Sequence, residues 1–474
     1  MPFYSSCRGL PRRFRLILSS FMQRDDLAFA QALPEATIEQ AFADADADFA
    51  QDEGDVYTPA LTLWAFLSQA LSKDHQRSCR AAVARVLVLL ASLGKAACSD
   101  NTGAYCRARA KLPVPVIRRL TTDIADGCEQ RLPTPWLWKD RHVYLVDGTT
   151  VSMPDTTDNQ AAYPQANTQA EGVGFPIARL VVLLSLATAM ITDMALGPYA
   201  GKETGETALL RELLPRLQPG NIMLADRHYC SYFMIALLRE RQVDCVVRLH
   251  QCREANFRRG HRLAAGDHVV TWAKPNKPEW MDEATYARMP ESIQVREVHV
   301  QVNQPGFRTE SLVAVTTLTD AEQYTKDDIA ELYHQRWLVE LDIRAIKVTL
   351  GIDVLRCQSA EMVRREIWTC LLAYNLIRQT ILEAALKSER SPRQLSFTAA
   401  LQKIAAAWAV LSVCDDALRV QLIAVQLRDI ANHVIGARPD RVEPRAIKRR
   451  PKCHKLLTES RAEARAKLID GAAA

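Results

Sequence analysis

The chain has 474 residues, 48% of them hydrophobic and 24% charged, which is typical of a globular protein of roughly two to four domains. Its apolar runs are too short to span a membrane, and its twelve cysteines include no Cys-x-x-Cys pair, which argues against a zinc site or a disulfide framework. The net charge of +5 is uneven, since residues 438–467 hold eleven Lys or Arg against four Asp or Glu. Such basic clusters are typical of proteins that bind polyanions, although a solvated tail would have the same composition.

Residues 24–135 are predicted to be mainly helical, because they are rich in Ala, Leu and Arg and are interrupted by prolines. This part of the chain contains a basic cluster with no acidic residue between Ala104 and Leu120. The cluster consists of Arg107, Arg109, Lys111, Arg118 and Arg119. It is the best candidate for a contact with DNA phosphates in this region, and an ordinary solvated surface is the alternative.

Strand-like and helix-like segments alternate after the linker-like sequence TPWLWKD at 134–140. Strands are predicted at 142–153, twice within 175–199, at 221–226 and at 244–250, with helices at 204–217 and 231–241. This alternation predicts an α/β domain with a largely buried sheet. Residues 251–310 break the alternation and are predicted to form a β-rich insertion, after which 311–318 resume the sheet.

A helix is predicted over 326–350, followed by further helices from 361 to about 435 and a basic tail. Four polar residues of this first helix fall within a stripe about 60° wide, at 100° per residue. This polar stripe consists of Tyr333, Arg336, Glu340 and Lys347. The apolar residues beside it are predicted to be buried, namely Leu332, Val339, Ile343, Ile346 and Leu350. Alternatively, Arg336 and Glu340 form only an ordinary ion pair on a solvated helix.

Two aspartates, Asp147 and Asp226, each end an apolar strand-like run. Strand ends of an open α/β sheet meet at one edge, where Glu340 could join them from a helix packed across that edge. Three carboxylates suit Mg²⁺, and two ions roughly 4 Å apart can promote in-line phosphoryl displacement. Taken separately, each aspartate could instead be a turn former or a helix cap.

Other polar residues near these segments are not assigned to the site. His228 is expected to have a structural or DNA-contacting role, because imidazole is a poor ligand for Mg²⁺. Asp155, Asp158 and Asp193 are expected in solvated loops. Glu206 is expected to interact with the dipole of the helix that it begins.

Taken in order, these motifs resemble the DDE transposases of bacterial insertion sequences, in the insertion-sequence-four family. The polar stripe matches the Tyr-x2-Arg-x3-Glu-x6-Lys signature of that family at all four positions. VDGTTVSMPDT, around Asp147, and LADRHYCSYFMI, around Asp226, resemble its two aspartate blocks. LLAYNLIR (371–378), QLSF (394–397) and PRAIKRRPK (444–452) are also similar to the family, so the resemblance covers residues 134–452.

The resemblance implies an α/β ribonuclease-H-like catalytic domain with a β-rich insertion, flanked by N-terminal and C-terminal helical regions. The expected divisions are a helical DNA-end-binding domain at 1–135, the catalytic domain at 136–250 and 311–360, the insertion at 251–310, a helical C-terminal domain at 361–437 and a basic tail at 438–474.

The resemblance also implies metal-dependent cutting at inverted-repeat ends, a hairpin intermediate and strand transfer into target DNA. Asp147, Asp226 and Glu340 would ligate two Mg²⁺ ions, for which Mn²⁺ could substitute. DNA contacts are expected from Tyr333, Arg336, Lys347, Arg107, Arg109, Lys111, Arg449 and Arg450. The expected partners are double-stranded DNA and a second copy of the chain in a synaptic homodimer, with no membrane, in the bacterial cytoplasm at the nucleoid.

One position departs from the family, since Leu312 stands about where close relatives have a tryptophan that stacks on a flipped base. Trp272 and Trp280 could substitute, although a hydrophobic anchor is the simpler role for each. Two alternative functions remain open at this point: a ribonuclease-H-like nuclease that cannot join strands, and an inactive DNA-binding protein derived from a transposase.

Overall fold

The structure is a computed structural model that describes residues 14–21, 35–47, 49, 55–96, 98–301, 311–436 and 456–472. Its N-terminal part is helical, which confirms the prediction. The helices are α1 (Arg15–Ser20), α2 (Glu35–Asp44), α3 (Pro59–Ala70), α4 (Cys79–Ser92), α5 (Thr102–Lys111) and α6 (Val114–Glu129). Thr58, Ser78 and Asn101 cap α3, α4 and α5 by accepting backbone N–H groups of the first turns. Every residue of α3 is buried, so the other helices surround it.

The nine described strands form one mixed sheet. They are β1 (Val143–Ser152), β2 (Ile177–Ser185), β3 (Ile191–Pro198), β4 (Ile222–Ala225), β5 (Asp244–Arg248), β6 (His261–Ala264), β7 (Asp267–Ala273), β8 (Ser292–Gln301) and β9 (Ser311–Thr316). Between them lie α7 (Thr157–Ala162), α8 (Glu206–Leu213), α9 (Tyr232–Glu240) and α10 (Glu283–Arg288). The strand order is β3-β2-β1-β4-β5-β9-β8-β7-β6. Strands β1, β4 and β5 are parallel, and all other neighbours are antiparallel.

The β-rich segment predicted as an insertion extends this sheet. Strand β9 pairs with β5 on one side and with β8 on the other, so β8, β7 and β6 continue the sheet beyond β5. Arg296 on β8 and Asp267 on β7 form a buried ion pair at 2.6 Å. Sequence patterns alone could not predict this continuity, because strand pairing depends on contacts between distant residues.

The remaining helices are α11 (Lys326–His334), α12 (Leu338–Arg344), α13 (Ala360–Lys387), α14 (Phe397–Val413), α15 (Asp416–Ala431) and α16 (Arg461–Ala472). The helix predicted over 326–350 is confirmed, since the backbone stays helical from Lys326 to Thr349, but its hydrogen-bonding pattern changes along its length. A 3₁₀ turn at Gln335–Trp337 precedes α12, and a π-helical turn at Ala345–Thr349 follows it. The predicted buried edge is confirmed, since Leu332, Val339, Ile346 and Leu350 are at most 4% exposed and Ile343 packs beside them.

One hydrophobic core runs from the N-terminal helices across one face of the sheet to the C-terminal helices. Helix α13 lies at its centre and packs against α3, α6, α14 and α15. Asn375 of α13 donates to the carbonyls of Thr121 on α6 and Ile191 on β3, and accepts from the Ile191 N–H. Helix α13 therefore joins the N-terminal helices to the sheet. A second core covers the other face beneath α8 and α9.

The structure gives the positions of the three aspartates that were not assigned to the site. Asp155 and Asp158 are exposed, as predicted, and Asp158 accepts a hydrogen bond from the Ala360 N–H at the start of α13. The prediction for Asp193 is wrong, because it lies in β3, is 1% exposed and pairs with Arg118 at 2.6 Å. A buried carboxylate requires such a partner. The described helices include none with the length and apolarity needed to cross a membrane.

Candidate active site

The two aspartates lie side by side at the end of the parallel strands. Val146 and Ala225 are the last paired residues of β1 and β4, and Asp147 and Asp226 follow them directly. Neighbouring strands are about 5 Å apart, so the two backbones bring both carboxylates to one edge. Strand β1 continues beside β2 to Ser152, whereas β4 ends at Ala225. The site therefore opens where β4 leaves the sheet.

The carboxyl group of Asp147 lies in a strongly perturbed environment. Burial raises its pKa to about 6, and the charges of Glu206 and Glu340 also raise it. The Gly148 N–H, which donates to Asp147 Oδ1 at 2.8 Å, and the Arg336 guanidinium lower the pKa. Negative charge is therefore in excess here, as expected of a site that receives a cation.

Helix α12 packs against β1 and supplies the third carboxylate, Glu340. Its Oε1 accepts a hydrogen bond from Arg336 Nη2 at 2.7 Å, and 39% of the Glu340 side chain is exposed. Burial lowers the pKa of Arg336, but the hydrogen bond to Glu340 and the charges of Tyr333 and Asp226 outweigh burial and raise it. Arg336 is thus the positive counterpart of the acidic groups.

The other members of the polar stripe differ in exposure. Tyr333 is 5% exposed, and burial together with the nearby Asp226 charge raises its pKa above the ordinary value. Arg248, at the end of β5, is close enough to act on Tyr333 in the opposite direction. Lys347 is half-buried in the π-helical turn. The structure brings Tyr333, Arg336 and Glu340 into the electrostatic range of the two aspartates.

A fourth acidic residue, Glu206, lies at this site and was missed by the sequence reasoning. It begins α8 against the backbone of Gly148, so closely that a Cβ there would lie 2.2 Å from Glu206 Cδ. Tyr229, three residues after Asp226, donates to Glu206 Oε2 at 3.3 Å. No local signal distinguishes Glu206 from any acidic residue in a first helical turn, since its position depends on the packing of α8.

The donor set suits a hard divalent cation, because three carboxylates with an excess of negative charge match the ligand preference of Mg²⁺. Asp147, Asp226 and Glu340 are the residues that would hold it. Within the described ranges, however, no three His, Cys, Asp or Glu side chains stand close enough together to enclose a metal ion. Glu340 instead contacts Arg336.

The predicted DNA contacts of the N-terminal cluster differ in position. Arg107 is exposed, and Lys111 is exposed with its Nζ 5.6 Å from the Phe49 ring centre. Arg109 turns inward, stacks over Phe66 at 4.9 Å and lines a cavity of about 240 Å³. Arg119 pairs with Asp44 at 3.0 Å. Arg449 and Arg450 lie outside the described residues.

The aromatic residues considered for base stacking also differ in exposure and contacts. Trp272 is 6% exposed, donates to Glu297 Oε1 at 3.2 Å and lies beneath Arg253, which confirms the anchor role. Trp280 is half-buried and stacks with Arg211 at 3.9 Å. Trp337 is 41% exposed beside Arg336. His228 is exposed and meets the Tyr229 ring edge-on at 5.7 Å.

Comparisons with known proteins identify a family and several similar proteins. Residues 138–376, half of the chain, match the family described as "Transposase DDE domain". The chain is 26% identical over 364 residues to "Transposase InsG for insertion sequence element IS4" of Escherichia coli K12, covering 73% of this chain and 76% of that protein. "Putative transposase InsZ" of the same organism is 25% identical over 105 residues, which is 22% of this chain and 34% of that protein. A piggyBac transposase synaptic complex with hairpin DNA aligns over 93% of this chain and 90% of its own, at 10% identity and a TM-score of 0.42.

Proposed function

This chain belongs to the transposases with a DDE domain, in the insertion-sequence-four family, and from that premise we propose that it cuts inverted-repeat ends and joins them to target DNA. It is an enzyme that acts on DNA, and such a domain generally implies a divalent metal. The observation that carries the proposal is the pair Asp147 and Asp226 at adjacent strand ends, with Glu340 close enough to raise the pKa of Asp147.

Each residue of the site has a distinct proposed role. Asp147, Asp226 and Glu340 would hold two Mg²⁺ ions, with Mn²⁺ able to substitute. Such ions, when bound, activate the attacking oxygen and stabilise the leaving oxygen of a phosphodiester. Arg336 and Lys347 would hold DNA phosphates, for which a guanidinium is suited by its paired donors. The buried Tyr333 would keep the helix at a fixed distance from Asp226.

The catalytic domain is proposed to be ribonuclease-H-like. The order β3-β2-β1-β4-β5, with the first three strands antiparallel and the last three parallel, supports this assignment. The N-terminal helices before residue 135 would recognise the repeat, and the enzyme would act as a homodimer that holds two ends. Its place of action would be the bacterial nucleoid.

A hairpin intermediate is part of the proposal. Hairpin formation bends a DNA end sharply, and an unstacked base then needs an apolar or aromatic surface. Trp337 supports this step because it is exposed and lies on the same helical segment as Arg336 and Glu340. Leu312 is half-buried in β9 and offers no ring.

The test uses a labelled duplex that ends in the terminal repeat of the element, with Mg²⁺ or Mn²⁺, and products resolved on a denaturing gel. The native chain should nick the strand at the repeat boundary, form a hairpin and join the end to a target plasmid. Glu340→Ala should lose all three products and retain DNA binding. The matched control is Glu331→Ala, an exposed acidic residue on α11.

Two other outcomes would contradict the proposal. Nicking without any strand transfer would leave a nuclease of the same fold. Binding with no metal-dependent product from the native chain would leave a DNA-binding protein derived from a transposase.

A further inference from the structure

The third carboxylate of the site, Glu340, forms an ion pair with a neighbouring cation. Arg336 Nη2 and Glu340 Oε1 are 2.7 Å apart, and the Arg336 side chain is 18% exposed. Glu340 is one helical turn after Arg336, so the pair forms within the helix and needs no movement of the sheet.

Arg336 acts on three of the four acidic residues of the site, namely Asp147, Asp226 and Glu340. Its charge lowers the pKa of Asp147, and Asp226 and Glu340 both raise the pKa of Arg336. The guanidinium therefore neutralises negative charge where a divalent ion would do so. Lys347 makes no salt bridge with any described residue, so the pairing of Glu340 is specific to Arg336.

A divalent cation and Arg336 cannot both use the same oxygen of Glu340 at full strength. A metal that took Oε1 of Glu340 would displace the guanidinium partner of that oxygen, and the loss of a partly buried ion pair costs free energy. A DNA phosphate can compensate for this cost, because it offers Arg336 two oxygens in the fork geometry that a carboxylate offers.

We propose that a DNA phosphate draws Arg336 away from Glu340 and thereby frees Glu340 for metal, so that DNA and divalent ions bind cooperatively. The inference rests on the proposed function of this site. It gives Arg336 two consecutive partners and keeps the free enzyme from completing its metal site away from DNA. Linkage requires that metal strengthen DNA binding by the same factor.

The test measures Mn²⁺ affinity directly, from the electron paramagnetic resonance signal of free Mn²⁺ during titration. The duplex carries the terminal repeat, with a methylene group in place of the scissile 3′ oxygen, so that charge is kept and cleavage is blocked. For the native chain, saturating duplex should raise Mn²⁺ affinity about tenfold or more, within the usual range of coupling between two sites.

The decisive variant is Arg336→Gln without DNA. It should bind Mn²⁺ about tenfold more tightly than the native chain, and duplex should add much less. Arg344→Gln removes the same charge from an exposed residue one turn after Glu340 that makes no salt bridge with it, and should leave the Mn²⁺ affinity of the free protein nearly unchanged. Thermal unfolding of each variant checks that the fold is intact.

Two results would overturn the inference. If Arg336→Gln binds Mn²⁺ no more tightly than the native chain, the ion pair does not limit the metal site. If Arg344→Gln produces an equal gain, net charge alone is responsible. By contrast, a native chain that binds no Mn²⁺ with or without duplex, and is indistinguishable from Glu340→Ala, would contradict the proposed function itself.

Discussion

Asp147 bears its charge in a position where the fold disfavours it. Its pKa is raised to about 6 by burial and by two glutamates, so above that pH the ionised carboxylate destabilises the metal-free fold. Asp147→Asn should therefore abolish cleavage and raise stability at pH 8 by about 2 kcal/mol. The gain should shrink as pH falls from about 6 towards 4, because the carboxyl of the folded chain is protonated below about 6 and that of the unfolded chain becomes protonated only near its ordinary pKa of 3.8.

Differential scanning fluorimetry at pH 8 and at pH 4, without added metal, measures this change in stability. Asp155→Asn is the control, since Asp155 is exposed and should change the melting temperature little. An unchanged or lower melting temperature for Asp147→Asn at pH 8 would show that neighbouring groups already compensate the charge.

Trp337 is expected to contribute to hairpin formation but not to nicking. Trp337→Ala should leave nicking at the repeat boundary nearly unchanged and reduce hairpin yield about tenfold, because a stacked base contributes about 1–3 kcal/mol. Leu341→Ala provides the control, as it shortens another exposed apolar side chain on the same helix. Equal loss of nicks and hairpins in Trp337→Ala would indicate a structural role instead.

Some individual residues of the candidate site could be predicted from the sequence. Asp147, Asp226 and Glu340 could be singled out because strand ends and helical spacing are local patterns. Glu206 could not, since it reaches Gly148 only through the packing of α8 on the sheet. The inward turn of Arg109 was equally hidden, because a basic cluster in sequence does not reveal which members face the interior.

At the scale of elements, α12 is anchored by a buried charge cluster. Asp342, two residues after Glu340, accepts from Arg378 of α13 at 2.8 Å and from Arg393 at 2.6 Å. Arg393 also donates to the carbonyls of Ser185, the last residue of β2, and Leu186, which follows it. The cluster thus ties α12, which carries Glu340, to α13 and to the sheet, and this gives LLAYNLIR a structural role.

Removal of Asp342 should be costly, because the buried Arg378 and the partly buried Arg393 would lose their anion. Asp342→Ala should lower the free energy of unfolding by about 3–5 kcal/mol, measured by urea denaturation. Asp416→Ala removes the partner of Arg419 on an exposed surface, where the carboxylate is 96% exposed, and should cost under about 1 kcal/mol. A similar small loss for both variants would mean that water replaces the buried carboxylate.

The types of the helices and strands were predicted better than their local hydrogen-bonding patterns and long-range partners. The helices and strands near the site follow from apolar periodicity, whereas the 3₁₀ and π-helical turns around α12 do not. Asp193 illustrates the same limit, since its burial depends on Arg118, 75 residues earlier in the chain. Long-range partners determine which polar residues a sheet can bury.

At the scale of the whole molecule, positive charge is concentrated near the C-terminus. Five basic residues outside the described ranges are candidates for phosphate contacts: Arg445, Lys448, Arg449, Arg450 and Lys452. Replacing all five with Gln should reduce the slope of log K against log salt by about 4 if each neutralises one phosphate. Sequence preference should not change, since phosphate contacts carry no base information. Fluorescence anisotropy across a salt series measures the slope, and an unaltered slope would exclude the tail from the DNA interface.

Helix α13 sets a fixed distance between the N-terminal helices and the sheet. Through Asn375 it joins α6 to β3 of the sheet that also contains Asp147, so under the proposed roles the recognised sequence and the cut phosphate would be held at a set separation. Each base pair advances the DNA by about 3.4 Å and turns it by about 35°. One base pair inserted between the repeat and its boundary should therefore move the nick inside the element by one nucleotide, whereas a flexible link would let it follow the boundary.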